Sequence, residues 1–96
     1  MSESEIEVVV TIMNSAGMHA RPAASFVKLA GTFASDIHVA KDGLEVNGKS
    51  IMGVLMLAAE QGSQLRIRCL GDDAEPASNA LSELVAQGFN EDPLEL

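Results

Sequence analysis

In four short stretches every second residue is apolar, and this two-residue period restricts the folds open to the chain more than any other feature. Ile6, Val8, Val10 and Ile12 alternate with Glu7, Val9 and Thr11, and Leu65, Ile67 and Cys69 alternate with Arg66 and Arg68. Successive strand side chains point to opposite faces, so each stretch has one face to bury and one to leave in water. Ile37 and Val39 against His38 and Ala40, then Leu44 and Val46 against Glu45 and Asn47, repeat the pattern on either side of the turn sequence Lys41-Asp42-Gly43. These two stretches are expected to form a hairpin. His38 falls on the polar side of its strand, as a solvated side chain.

Between the strands the period lengthens to that of a helix. Ala23, Phe26, Val27, Ala30 and Phe33 share one face, with Ser25, Lys28 and Thr32 outward, in a first helix ending near Gly31. Ser50 opens a second, short helix running to about Ala59. Asp72 or Asp73 caps a third, with Pro76 in its first turn and Ala77, Leu81, Leu84 and Val85 on its buried face before Gly88. The order β-α-β-β-α-β-α with half-buried strands implies an α+β fold, a four-stranded antiparallel sheet with three helices on one face. Ninety-six residues, 47% of them hydrophobic, suffice for one domain, residues 1–96. Its ordered part is expected to span about residues 4–89, and the acidic tail from Asn90 to Leu96 to fray.

Charge narrows the function. Fourteen acids against six bases give a net charge of −8, which argues against nucleic acid or an anionic membrane as the partner. The N-terminal Met1-Ser2-Glu3-Ser4-Glu5-Ile6-Glu7 is acidic where a secretory signal is basic, and no apolar run reaches membrane-spanning length, so a cytoplasmic location is expected. Cys69 is the only cysteine and sits in an apolar strand pattern, which excludes an intrachain disulfide and a cysteine metal cluster and places the thiol in the core.

Against this background Gly17-Met18-His19-Ala20-Arg21-Pro22-Ala23-Ala24-Ser25 stands out. Proline is tolerated in the first helical turn, so Pro22 sets the helix start close to His19. The imidazole, a competent nucleophile, then lies beside N–H groups without intrahelical partners and the positive end of the helix dipole. Arg21 offers a planar fork matched to phosphate oxygens. From Val8 to Ser35 the chain contains Arg21 and Lys28 but no Asp or Glu. A histidine in this position also reads simply as a cap or turn residue.

The segment Gly17 to Ala23 resembles the phosphohistidine signature of the HPr family, the histidine-containing phosphocarriers of the bacterial phosphotransferase system, and the resemblance covers nearly the whole chain. It implies an open-faced β-sandwich and a relay in which His19 takes phosphate from phospho-enzyme I on Nδ1 and passes it to an enzyme IIA. Arg21 and the backbone N–H groups of Ala20 and Arg21 would orient the phosphoryl oxygens. The chain would then be a monomeric carrier, not an enzyme with a small-molecule substrate, and would need no metal or organic cofactor.

Gly43-Leu44-Glu45-Val46-Asn47-Gly48-Lys49-Ser50 fits the phosphate-binding pattern GxxxxGK[ST] letter for letter, but Leu44 to Val46 reads as strand where a nucleotide-binding loop needs a flexible turn. Lys49-Ser50-Ile51-Met52-Gly53-Val54-Leu55 instead resembles the family's regulatory serine segment, the target of an HPr kinase/phosphorylase. Ser50 also reads as the helix cap, and the two roles are compatible. Val54 and Leu57 have core spacing, so at least two of Ile51, Met52 and Leu55 must face outward. The resemblance assigns these three, with Ala24, to the surface that docks enzyme I and the acceptors. Two alternatives stay open. Gly88-Phe89-Asn90-Glu91-Asp92 is reminiscent of the nitrogen-related branch of the system, and a regulatory module docking a transcription factor through phosphorylated Ser50 is the other.

Overall fold

The computed structural model describes residues 4–90, and among these residues there are four strands and three helices. They run β1 (Glu5–Thr11), α1 (Ala20–Ala30), β2 (Asp36–Lys41), β3 (Leu44–Asn47), α2 (Ile51–Met56), β4 (Gln64–Leu70) and α3 (Ala74–Ala86), followed by a 3-10 turn at Gly88–Asn90. The strands form one sheet in the order β1-β4-β2-β3. Every neighbouring pair is antiparallel, from Glu5 opposite Leu70 to Thr11 opposite Gln64, from Asp36 opposite Leu70 to Ala40 opposite Arg66, and from His38 opposite Asn47 to Lys41 opposite Leu44. Residues 91–96, which include most of the acidic tail, lie outside the described residues.

The register follows from the two-residue period. Ile37, Val39, Leu65, Ile67 and Cys69 are fully buried between the sheet and the helices, where Phe26, Ala30, Leu81 and Val85 meet them. Each large side chain buried this way contributes about 1.5–3 kcal/mol. The opposite parity faces solvent and carries charge. Arg66 Nε pairs with Glu7 at 3.0 Å, and Arg68 Nη2 donates to Glu45 Oε2 at 2.8 Å. That hydrogen bond holds the Glu45 carboxyl below its ordinary range. His38 is half-buried on the same face, opposite Arg68.

Three details depart from the sequence pattern. Helix α2 ends at Met56 and not near Ala59, because Ala58 turns into the left-handed region at φ 50° and frees the Ala59 carbonyl for a contact outside the helix. Phe33 falls past the end of α1, in a turn whose N–H donates to the Ala30 carbonyl at 3.2 Å. Asp73 occupies the position before α3 but does not cap it. Its carboxylate instead accepts from the backbone N–H of Ala34 at 2.8 Å, from that of Ser35 at 2.9 Å and from the Ser35 hydroxyl. The Ser35 hydroxyl first, and then the Ala34 N–H, hold the Asp73 carboxyl below its ordinary range.

Candidate functional site

The turn ahead of α1 is built by the backbone. Asn14 and Gly17 close it, with Gly17 N–H donating to the Asn14 carbonyl at 3.2 Å and Asn14 Nδ2 returning a bond to the Gly17 carbonyl at 2.8 Å. Gly17 sits at φ 75°, a conformation that favours glycine, and a Cβ there would lie 2.6 Å from the Ala59 carbonyl oxygen. The next residue uses that same oxygen: Met18 N–H donates to it at 2.8 Å, while the Met18 side chain enters the core. The chain therefore arrives at His19 in a fixed direction.

His19 is the N-cap residue of α1, with extended backbone at φ −89° and ψ −165°. Its carbonyl accepts the first helical bond, from Ala23 N–H at 2.9 Å. Its imidazole makes no side-chain cap hydrogen bond. Ala20 and Arg21 bring the N–H groups of the first turn, Pro22 brings none, and no acidic residue lies in that turn. Half a unit of positive charge, roughly, collects at such an end, and an anion beside His19 is stabilised by it. His19 and Arg21 are both exposed. A polar cleft of about 540 Å³ lies elsewhere, lined by Lys41, Gly43, Gln64 and Arg66 among others, and does not include His19. A reactive group on an open surface suits an exchange between proteins more than capture of a small molecule.

Ser50 is the N-cap of α2, and its hydroxyl accepts from Gly53 N–H at 3.1 Å. Lys49 N–H donates to Asn47 Oδ1 at 2.8 Å, and Lys49 Nζ to the Phe33 carbonyl at 2.7 Å. With Leu44–Asn47 paired as a strand and the lysine amine spent on a carbonyl, the segment has none of the geometry of a nucleotide-binding loop.

The two helices that carry these residues pack against each other. Ala24 on α1 and Ile51 and Met52 on α2 are exposed, as the docking reading requires, and Val54 and Leu57 are buried. Leu55 is half-buried against the core. Met56, which the sequence reading passes over, is exposed; its spacing of four from Met52 was the available signal. Among the described residues no cluster of His, Cys, Asp and Glu could hold a metal ion, and no helix is long and apolar enough to cross a membrane.

Residues 6–87 match the family model described as the PTS HPr component phosphorylation site. The chain belongs to the HPr family. A phosphocarrier protein HPr from Xylella fastidiosa is 46% identical over 87 residues, covering 91% of this chain and 98% of the relative. HPr from Thermoanaerobacter tengcongensis superposes with a TM-score of 0.87 at 46% identity, covering 95% of this chain and 99% of that one. The Bacillus subtilis catabolite repression protein Crh, described as a domain-swapped dimer, matches with a TM-score of 0.66 at 37% identity, covering 99% of this chain and all of that one. The open sheet of four antiparallel strands with three helices is that of the solved HPr structures on which the chain superposes. As a member of the HPr family, the chain is a phosphocarrier of the phosphotransferase system.

Proposed function

We propose that His19 accepts a phosphoryl group from phospho-enzyme I and hands it to a histidine of an enzyme IIA. In the accepting step an N–P bond forms at His19 Nδ1 as the N–P bond of the donor breaks, and the donor imidazole leaves; the onward step reverses the roles. Arg21 spreads the charge of the phosphoryl oxygens, and the N–H groups of Ala20 and Arg21 orient them. The observation that carries this reading is an exposed histidine at the N-cap of an 11-residue helix whose imidazole is not used as the cap. Little covalent work is asked of the protein. Phosphoryl transfer depends mainly on positioning and charge stabilisation, which in this reading Arg21 and the N–H groups of Ala20 and Arg21 supply without a metal or organic cofactor.

The docking surface is Ala24, Ile51, Met52 and the outer part of Leu55, beside Arg21 and Lys28. Acidic partner surfaces fit it, because, of the other basic side chains, Lys41, Arg66 and Arg68 pair with acids on the sheet side and Lys49 donates to the Phe33 carbonyl. Phosphorylation of Ser50 by an HPr kinase/phosphorylase would add a charge of about −2 there, which the start of α2 tolerates but an acidic partner repels. The protein works in the cytoplasm as a monomer.

Between the branches of the system, the Ser50 segment favours sugar transport. The Gly88 and Phe89 of the nitrogen-branch motif have a packing role, since Phe89 is buried in the core at the end of α3. A regulatory role through phosphorylated Ser50 is the second reading, favoured by the likeness to Crh, and it can coexist with the relay. The test is sequential transfer: phosphoenolpyruvate and enzyme I are supplied, then enzyme IIA proteins of each branch. Label passing to a sugar-specific IIA supports the reading; label moving only to a nitrogen-type IIA reassigns the branch.

A further inference from the structure

Helix α2 presents two thioethers to solvent. Met52 is 68% exposed and Met56 65%, and their spacing of four residues makes them neighbours on one helix face. The other described methionines differ: Met18 is 4% exposed in the core, and Met13, 54% exposed, lies beside β1 and α3, on a different surface. The one thiol is out of play. Cys69 is fully buried, and burial together with the nearby Asp73 charge pushes its pKa up, so it is not a thiolate. An oxidant in solution therefore meets methionine sulfur first.

We propose that Met52 and Met56 form a reversible oxidation switch on the docking face, set by hydrogen peroxide and reset by methionine sulfoxide reductases. In the setting step the sulfur lone pair takes one oxygen of the peroxide as the O–O bond breaks, so sulfur loses two electrons and the peroxide is reduced to water; in the resetting step two thiols of the reductase supply two electrons and become a disulfide, and the sulfoxide oxygen leaves as water. The sulfoxide is polar and chiral where the thioether was apolar and adaptable. Covering it with a partner buries a strong acceptor that the interface was not built to satisfy. The fold has no such cost, because neither side chain belongs to the core.

This inference rests on the docking role of α2, so its test must separate the two. The full chain is treated with graded hydrogen peroxide, oxidation is mapped by peptide mass, and phosphorylation by enzyme I is measured against carrier concentration. Met52 and Met56 are expected to convert at least about ten times faster than Met18, because susceptibility follows exposure. The carrier concentration giving half-maximal phosphorylation should rise by about tenfold, which corresponds to about 1.4 kcal/mol of docking, with maximal rate and thermal midpoint unchanged. Sulfoxide reductase should restore it. A Met52→Leu/Met56→Leu chain, in which Met13 still oxidises, should show the same half-saturating concentration with and without peroxide, whatever its own untreated value. Unchanged half-saturation in the oxidised wild type overturns the switch while leaving the relay standing, as does equal sensitivity in the double variant. An untreated chain that accepts no phosphate overturns the relay, and the switch with it.

Discussion

Met18 N–H donates to the Ala59 carbonyl at 2.8 Å, and this bond joins the chain entering α1 to the chain leaving α2. The segment leading into His19 and the helix that carries Ile51 and Met52 are thus tied by one backbone contact. It also explains why α2 is short. A helix continued through Ala59 would turn that carbonyl along its own axis, toward a later N–H, and leave Met18 without its acceptor.

Gly17→Ala is expected to be destabilising out of proportion to its size. The added Cβ would lie 2.6 Å from the Ala59 oxygen, a backbone atom that cannot yield without losing the Met18 bond, and φ 75° adds strain. Together these cost about 3 kcal/mol. Urea unfolding checks the stability, and the phosphorylation rate should fall with it as His19 is displaced.

Substitutions at Ser50 should separate capping from docking. Ser50→Ala removes the acceptor for Gly53 N–H and costs about 1 kcal/mol, with little effect on phosphoryl transfer. Ser50→Asp keeps an acceptor at the cap and adds negative charge beside Ile51 and Met52, so stability should hold while the half-saturating concentration for enzyme I rises. Transfer by Ser50→Asp indistinguishable from wild type would count against the regulatory reading.

Acid sensitivity should trace in part to Asp73. Its folded-state pKa is lowered, by the Ser35 hydroxyl first, so its contribution to stability is complete above the unfolded value of about 3.9 and disappears as pH falls through the folded value. The urea midpoint of Asp73→Asn should therefore lie below that of wild type by a constant amount from about pH 7 to pH 5, and the gap should begin to narrow near about pH 4 and close only below the lowered folded value. A gap independent of pH would mean that the carboxylate charge is not what holds the Ala34 and Ser35 N–H groups.

The strands were legible because each has one wet face, so the two-residue period of Ile37 and Val39 or of Leu65, Ile67 and Cys69 maps directly onto burial. His19 and Arg21 were legible because Pro22 fixes the helix start beside them. What the pattern could not carry was long-range backbone bonding. The end of α2 is decided by Met18, forty-one positions before Ala59, and Asp73 spends its carboxylate on Ala34 and Ser35 instead of on its own helix. Met56 was missed for another reason: it lies in a uniformly apolar run, where its spacing of four from Met52 was the one sign that it shares the outward face.

The most direct measurement is labelling from radioactive phosphoenolpyruvate through enzyme I, on wild type, His19→Ala and Arg21→Ala. The relay predicts stoichiometric label on wild type that is lost in acid and kept in alkali, none on His19→Ala, and a rate lowered by about a hundredfold on Arg21→Ala, the order expected for one lost oxyanion donor. Label of the same acid lability persisting on His19→Ala would contradict the account, since the phosphoryl group would then reside on another residue.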